Sequence, residues 1–195
     1  MILKRVSGLI FMFLLAGCGD DQNVTLVKQQ KDNYFNGRTF DDVLTYWSMC
    51  ESVKWESLDG NNKNIVKFTC VNKNLNEYIG KIQNDLEVGF KDKEKREPSA
   101  QELDEMNKIL SLKKVQEVFY FKVSNDRVLP YKSGVEYYWE DGRSGYDDIY
   151  TITMFSNVML NLNNFYTMQM RNYEGEQYIP LRYNYLINLF NRITR

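Results

Sequence analysis

Apolar residues along this chain recur with helical spacing in some segments and form strand-like runs in others. Helical spacing is clearest where Leu75, Tyr78, Ile79, Ile82 and Leu86 follow one another at intervals of one to four residues. The same pattern predicts further helices at residues 40–47, 103–110 and 181–193. Runs rich in β-branched and aromatic residues predict strands at residues 53–58, 65–72, 115–123 and 135–139.

Turn and capping residues separate these segments. Residues 59–62 (Asp-Gly-Asn-Asn) tolerate positive φ and predict the turn of a hairpin. Residues 125–126 predict a second turn, into Val128 and Leu129. Ser99 and Glu102 have the spacing of a capping box at the start of a helix, and the charged run 91–97 before them is typical of a solvated loop or helix face.

The segment after residue 146 is ambiguous between helix and strand. Asp147 and Asp148 are placed to begin a helix. That helix would carry Ile149, Ile152, Phe155, Met159 and Leu162. The threonine and aromatic content leaves a strand open. Taken together, the pattern predicts an α+β fold, with a small antiparallel sheet packed by several helices in one domain over residues 24–195.

The first eighteen residues have the pattern of a secretory signal peptide. Lys4 and Arg5 precede an apolar run over residues 9–14, which is about half the roughly 20 residues that a membrane-spanning helix needs. The run closes on Leu-Ala-Gly-Cys, residues 15–18. This ending resembles the lipobox of bacterial lipoproteins, which implies a signal peptide over residues 1–17 and cleavage directly before Cys18.

The lipobox resemblance also implies an anchor and a location. In that family the cysteine is acylated, so Cys18 would attach the chain to the lipid bilayer, with residues 18–23 as the lipidated cysteine and a short polar leader. In enteric-type lipoproteins an aspartate directly after the cysteine favours the inner membrane. Gly19 holds that position here, so we expect the outer membrane, with the domain facing the periplasm.

Composition excludes several classes of activity. A formal net charge of −1 and a pI near 5.7 argue against nucleic-acid binding through phosphate neutralisation. The chain contains no histidine, which excludes Ser-His and Cys-His nucleophile pairs and the HExxH zinc site. We expect no cofactor and no metal ion, because two remaining thiols without histidine do not make the usual tetrahedral ligand set.

Cys50 and Cys70 are the two thiols left after lipidation of Cys18. Export places them in an oxidising compartment, and the predicted hairpin between them brings the two positions close together. The sequence therefore favours a disulfide, with a pair of buried reduced thiols as the alternative.

The segment around Gly134 resembles a known motif. Ser133-Gly134-Val135-Glu136-Tyr137 is similar to the S-G-x-x-Y segment of periplasmic membrane-bound lysozyme inhibitors. That resemblance implies that Ser133 and Tyr137 contact the catalytic cleft of a hydrolase. The basic follow-up motif of the family is not evident after Trp139, and the alternative is a Ser-Gly turn that enters a strand.

Acidic side chains near this motif suggest a second activity. Glu140, Asp141, Asp147 and Asp148 lie close in sequence to several aromatic residues. Paired carboxyl groups beside aromatic rings are typical of an enzyme that cleaves envelope glycan. Acids flanking glycines are equally typical of turns and helix caps.

The second half of the chain is rich in tyrosine and phenylalanine, which are favoured at protein interfaces. These rings are Tyr137, Tyr138, Tyr146, Tyr150, Phe155, Phe165, Tyr166, Tyr173, Tyr178, Tyr183 and Tyr185. We expect a docking face for an envelope protein here, with Ser133, Tyr137, Tyr138 and Trp139 as contacts; the alternative is that the rings fill the core. The sequence thus favours a membrane-anchored lipoprotein that acts as a non-catalytic binding or assembly module.

Overall fold

The computed structural model describes residues 21–58, 64–125 and 127–162. The predicted signal peptide and Cys18, the hairpin turn 59–62 and the helix 181–193 lie outside these residues. In chain order the structure contains α1 (Gln22–Gln29), β1 (Cys50–Ser57), β2 (Ile65–Asn72), α2 (Leu75–Glu94), α3 (Ala100–Leu110), β3 (Leu112–Ser124), β4 (Arg127–Trp139), β5 (Ser144–Asp148) and α4 (Thr151–Met159). A 3-10 turn (Asn33–Phe35) and a π-helical turn (Asp41–Thr45) lie between α1 and β1.

The strands form one antiparallel sheet in the order of the chain, β1-β2-β3-β4-β5. Pairing is longest between β3 and β4, which run together from Leu112 opposite Trp139 to Ser124 opposite Arg127. Among the described strands, short β5 pairs only with the second half of β4, from Gly134 to Tyr138. The predicted α+β fold is confirmed, with strand β4 continuous where the sequence pattern predicted two separate pieces.

The capping box at the start of α3 forms as predicted. Ser99 Oγ accepts from the backbone N–H of Glu102 at 3.3 Å, and the Glu102 carboxylate accepts from the backbone N–H of Ser99 at 2.8 Å. Arg96 donates two further hydrogen bonds to the same carboxylate. The pKa of Glu102 falls to about 2 because these donors, Arg96 first, favour the charged form.

Asp147 and Asp148 do not begin a helix, which corrects the prediction. Both lie in β5, where Asp147 is opposite Val135 and Asp148 is opposite Gly134. Helix α4 begins three residues later, at Thr151. The predicted helical spacing holds at Ile152, Phe155 and Met159, whereas Leu162 lies beyond the end of α4. Tertiary pairing along the edge of β4 overrides helix-capping propensity in the residues before Thr151.

All four helices pack on one face of the sheet, in two hydrophobic clusters. One cluster joins α1, the two short helical turns and α4 to side chains such as Phe68, Phe119 and Phe121. The other joins α2 and α3 to β3 and β4. The members of the second cluster are Tyr78, Ile82, Leu86, Met106, Ile109, Leu110, Leu112, Val115, Val135, Tyr137 and Trp139. None of the described helices is both long enough and apolar enough to cross a membrane.

The predicted disulfide between Cys50 and Cys70 is confirmed. The two cysteines lie on neighbouring strands with Cα atoms 5.2 Å apart, beside a bulge at the start of β1, where Cys50 pairs with Asn72 and Cys70 pairs with Val53. Cys70 is fully buried in the first cluster, so the bridge ties the edge strand to the centre of the core. A crosslink over a sequence separation of 20 residues stabilises the folded state by about 3 kcal/mol in the chain-entropy model.

Candidate functional site

Three of the four predicted partner contacts are buried, which corrects the prediction for them. Ser133, Tyr137 and Trp139 are each 1% exposed, on the face of the sheet that the helices cover. The Trp139 indole N–H donates to the carbonyl of Ile109 at 2.9 Å. These side chains belong to the core because strand alternation sends residues 133, 135, 137 and 139 to the same face. Tyr138 points to the other face.

The burial of Ser133 also bears on the resemblance to lysozyme inhibitors. Ser133 Oγ donates to the carbonyl of Ile149 at 2.7 Å and lies 3.0 Å from Thr151 Oγ1. Both Ser133 and Tyr137 therefore face the interior of the domain, within a continuous strand. A serine loop that enters another enzyme's cleft needs the opposite arrangement.

A cavity opens where β5 ends and the chain turns into α4. Its volume is about 350 Å³, and it is lined by Tyr131, Lys132, Ser133, Asp148, Ile149, Tyr150 and Thr151. Tyr131 is 64% exposed and Tyr150 is 86% exposed, whereas most large apolar and aromatic side chains of the sheet are buried. We call this cavity with its two exposed tyrosines the Tyr131–Tyr150 site.

The sequence of β4 explains why Tyr131 is exposed. Pro130 has no backbone N–H to donate, and proline within a sheet is typical of an edge. At this point β4 has one residue more than β3, because Tyr120 pairs with Lys132 while Phe121 pairs with Pro130. The extra residue is Tyr131, which follows Pro130. Such a bulge re-aims a side chain and ends regular pairing. Among the described strands, residues 127–132 therefore pair with β3 alone.

Polar groups of both charges surround the Tyr131–Tyr150 site. Lys132 Nζ lies 3.9 Å from the centre of the Tyr146 ring, a cation–π contact. Asp148 accepts a long hydrogen bond of 3.3 Å from the Tyr146 hydroxyl on one carboxylate oxygen. Thr151 adds a hydroxyl next to Ser133. The cavity therefore offers a cation, an anion and hydroxyl groups beside two rings.

Gly134 allows the Tyr146 ring to pack close to the sheet at this point. A Cβ atom on Gly134 would lie 2.0 Å from the carbonyl oxygen of Asp147 and 2.6 Å from the Tyr146 hydroxyl oxygen. The Tyr146 hydroxyl donates to the Ser133 carbonyl at 2.9 Å. Tyr146 thus holds Lys132 at the rim of the site. The pKa of the Tyr146 hydroxyl is raised, and burial is the largest cause of this change.

A polar network lies on the face of the sheet opposite the helices, centred on Glu136. Lys67 Nζ is 2.8 Å from Glu136 Oε1, and Tyr120 donates to the same oxygen at 3.0 Å. Gln116 and Tyr138 donate to Oε2 at 2.5 Å and 2.9 Å. Both carboxylate oxygens are therefore saturated, which is the arrangement of a structural ion pair rather than of a catalytic acid.

The pKa values of this network follow from its burial and hydrogen bonds. Burial raises the pKa of the Glu136 carboxyl, but hydrogen bonds from Lys67, Gln116 and Tyr138 more than offset it, so the pKa lies below its usual value. Burial, with the Glu136 carboxylate, raises the pKa of Tyr138 to about 12 and also raises the pKa of Tyr120. All three groups keep their ordinary charge states at neutral pH.

The four acids considered for glycan cleavage separate into two pairs. Glu140 is exposed and Asp141 pairs with Arg143 in the turn between β4 and β5, while Asp147 and Asp148 are at the far end of β5. Glu140 is five positions beyond Val135, the partner of Asp147. At about 3.3 Å per residue this corresponds to roughly 16 Å along the strand. Glycosidase carboxyl groups are about 5–9.5 Å apart.

The sequence analysis missed three residues that line this cavity: Tyr131, Lys132 and Thr151. The signal for Tyr131 was Pro130, which marks an edge within an otherwise strand-like segment. Tyr150 was one of the eleven aromatic residues considered for docking, of which six lie outside the described residues.

Within the part of the chain that the structure describes, no three Cys, Asp or Glu side chains converge to hold a metal ion.

Comparisons with models of protein families, with curated proteins and with solved structures found no match.

Proposed function

We propose that this chain is a membrane-anchored bacterial lipoprotein whose folded domain is a non-catalytic binding module of the cell envelope. The observation that carries the binding role is the Tyr131–Tyr150 site, where two tyrosines remain largely exposed beside a cavity. Exposed amphipathic rings next to polar groups are typical of recognition surfaces. An envelope partner of the domain would bind here.

The anchor rests on the sequence of residues 1–18, with acylated Cys18 in the outer membrane as the expected attachment. The Cys50–Cys70 disulfide supports an exported domain, since disulfides persist in oxidising compartments. Helix α1 begins at Gln22, so a chain anchored at Cys18 would hold the folded domain within about 15 Å of the bilayer, at about 3.5 Å per extended residue. The binding site would then be confined to a layer near the membrane surface.

A non-catalytic role is supported by the surroundings of the acidic residues. Asp141 is held by Arg143, and Glu136 has both oxygens occupied by donors. The acids at the two ends of β5 are too far apart along the strand for a glycosidase pair. A carboxylate-dependent enzyme is thus the weaker candidate.

The anchor is tested by mass spectrometry of the protein purified from its own membranes. We expect the chain to begin at Cys18 and to carry the mass of two or three acyl chains. An intact Met1 without acyl mass would contradict the anchor.

The binding role is tested by crosslinking and pull-down from intact envelopes with the lipidated protein. We expect a defined component that wild type recovers and that the Tyr131→Ala/Tyr150→Ala variant loses. Tyr46→Ala is the matched control, because Tyr46 is 77% exposed and does not line the cavity. Recovery that is equal in all three proteins would contradict the assignment of the site.

A further inference from the structure

We infer that the Tyr131–Tyr150 site binds one or two sugar rings of a neutral glycan that carries acetamido groups. This inference rests on the binding role proposed above and names its ligand class. It follows from three properties of the cavity: its exposed rings, the balance of its charges and its size.

The exposed rings favour a ligand with flat C–H faces. An aromatic ring has a negative face and attracts the weakly positive C–H groups on one side of a sugar. Tyr131 and Tyr150 both line the cavity, and both keep most of their surface free for such contact. Their hydroxyl groups can exchange hydrogen bonds with the hydroxyl rim of the same sugar.

The balance of charges favours a neutral ligand that has both donors and acceptors. Lys132 supplies donors and Asp148 supplies acceptors within one cavity, so a net charge on the ligand would meet repulsion from one of them. An acetamido group presents an N–H and a carbonyl oxygen a short distance apart. Asp148 would accept from the N–H, and Lys132 would donate to the carbonyl.

The size of the cavity sets the length of chain that it holds. About 350 Å³ is near the lower end of the usual range for ligand sites, about 300–1,000 Å³. One or two sugar rings fit this space, whereas an acyl chain would place its apolar length against Lys132, Asp148 and Thr151 at a desolvation cost. A protein partner would bury a wider and more apolar surface than this cavity offers.

The test measures binding of chitotetraose, four β-1,4-linked N-acetylglucosamine residues, to the detergent-solubilised full-length protein by calorimetry. Cellotetraose, which has the same β-1,4 linkage with hydroxyl groups in place of the acetamido groups, is the comparison ligand. The variants are Tyr150→Ala, Tyr150→Phe and Tyr131→Ala, with Tyr46→Ala as the matched control. Circular dichroism and the thermal midpoint verify that each variant is folded.

We expect chitotetraose to bind wild type and Tyr46→Ala with the same Kd, within about threefold. Tyr150→Ala and Tyr131→Ala each raise the Kd about tenfold or more, which corresponds to one lost contact of about 1.4 kcal/mol. Tyr150→Phe keeps the ring and stays within about threefold of wild type. Cellotetraose binds at least about tenfold more weakly than chitotetraose, because it leaves Lys132 and Asp148 without amide partners.

Two results would overturn the inference. One is the absence of chitotetraose binding, or binding that both alanine variants retain. The other is equal affinity for cellotetraose, which would show that the acetamido group does not contribute to recognition. If the pull-down still recovers a protein through Tyr131 and Tyr150 while chitotetraose does not bind, the ligand class is wrong and the proposed binding function stands. If neither binds, both fail.

Discussion

The two halves of strand β4 share a backbone but have opposite surroundings. Residues 133–139 lie between β3 and β5, and the side chains of Tyr137 and Trp139 are packed under α2 and α3. Residues 127–132 pair with β3 alone among the described strands, and Tyr131 is largely exposed there. The difference arises from the length of β5, which covers only five residues of its neighbour.

This comparison shows that aromatic content alone does not locate a binding surface. The four contacts predicted from sequence all lie in the covered half of β4, where three of them are core residues. The exposed rings lie where the last strand ends and α4 begins. We therefore expect the two halves of β4 to differ in stability and in recognition.

The largest effect is expected from Trp139→Ala. This substitution leaves a cavity in the second cluster and removes the indole donor to the Ile109 carbonyl, so it lowers the free energy of unfolding by about 4 kcal/mol. Urea denaturation measures it. Tyr131→Ala in the exposed half is the matched substitution and stays within about 0.5 kcal/mol of wild type. Similar losses in both variants would mean that the two halves of β4 do not differ in packing.

The next effect concerns the boundary between the halves. Gly134→Ala places a Cβ 2.0 Å from a backbone oxygen of β5, so one strand must shift, and the free energy of unfolding falls by about 3 kcal/mol. Gly80→Ala is the control, because Gly80 lies in α2 with open space around it and gains about 0.5–1 kcal/mol in helix stability. A Gly134→Ala protein as stable as wild type would contradict the close packing of Tyr146 and β5 on β4.

A smaller, pH-dependent effect is expected from Glu136→Gln in the covered half. The variant loses the ion pair with Lys67, and its free energy of unfolding falls by about 2 kcal/mol at neutral pH. The pKa of Glu136 is lowered by folding, so its stabilisation is present above the ordinary carboxyl value of 4.5 and is lost as the pH falls through the lower folded value.

The measurement for this prediction is urea denaturation of wild type and Glu136→Gln from pH 7 to pH 2.5. The difference between the two proteins should be largest at neutral pH and should shrink below about pH 4.5. A difference that is constant with pH would show that Glu136 gains nothing from its charge in the folded state.

The smallest effect is expected from Tyr146→Phe. This substitution removes the hydroxyl that donates to the Ser133 carbonyl and keeps the ring under Lys132. It therefore lowers the free energy of unfolding by about 1 kcal/mol. Thermal unfolding should show a midpoint a few degrees lower. A larger loss would mean that the hydroxyl, rather than the ring, holds the rim of the cavity.

Much of the fold could be predicted from the sequence because local and tertiary preferences agree there. Strand β3 is rich in β-branched and aromatic residues, α3 has its capping box, and Cys50 and Cys70 lie on a hairpin. Strand β5 could not be predicted, since its sequence Ser-Gly-Tyr-Asp-Asp has residues that are depleted in strands. It forms because the edge of β4 offers unpaired backbone groups.

The candidate site was harder to predict than the fold for a related reason. Exposure of Tyr131 depends on where β5 ends, and burial of Tyr137 depends on helices far away in sequence. The burial of Tyr137 is not encoded in the residues next to it. Only Pro130 indicated an edge, and it does so through the missing backbone N–H rather than through any binding chemistry.

Under the proposed function, the exposed half of β4, together with Tyr150, would contact another component of the envelope. The most direct measurement places a photo-crosslinking amino acid at the position of Tyr150, and separately at that of Tyr46, in cells that make the full-length protein. The account predicts a discrete crosslinked product from the Tyr150 position that the Tyr46 position does not give. Equal products from both positions, or none from Tyr150, would contradict it.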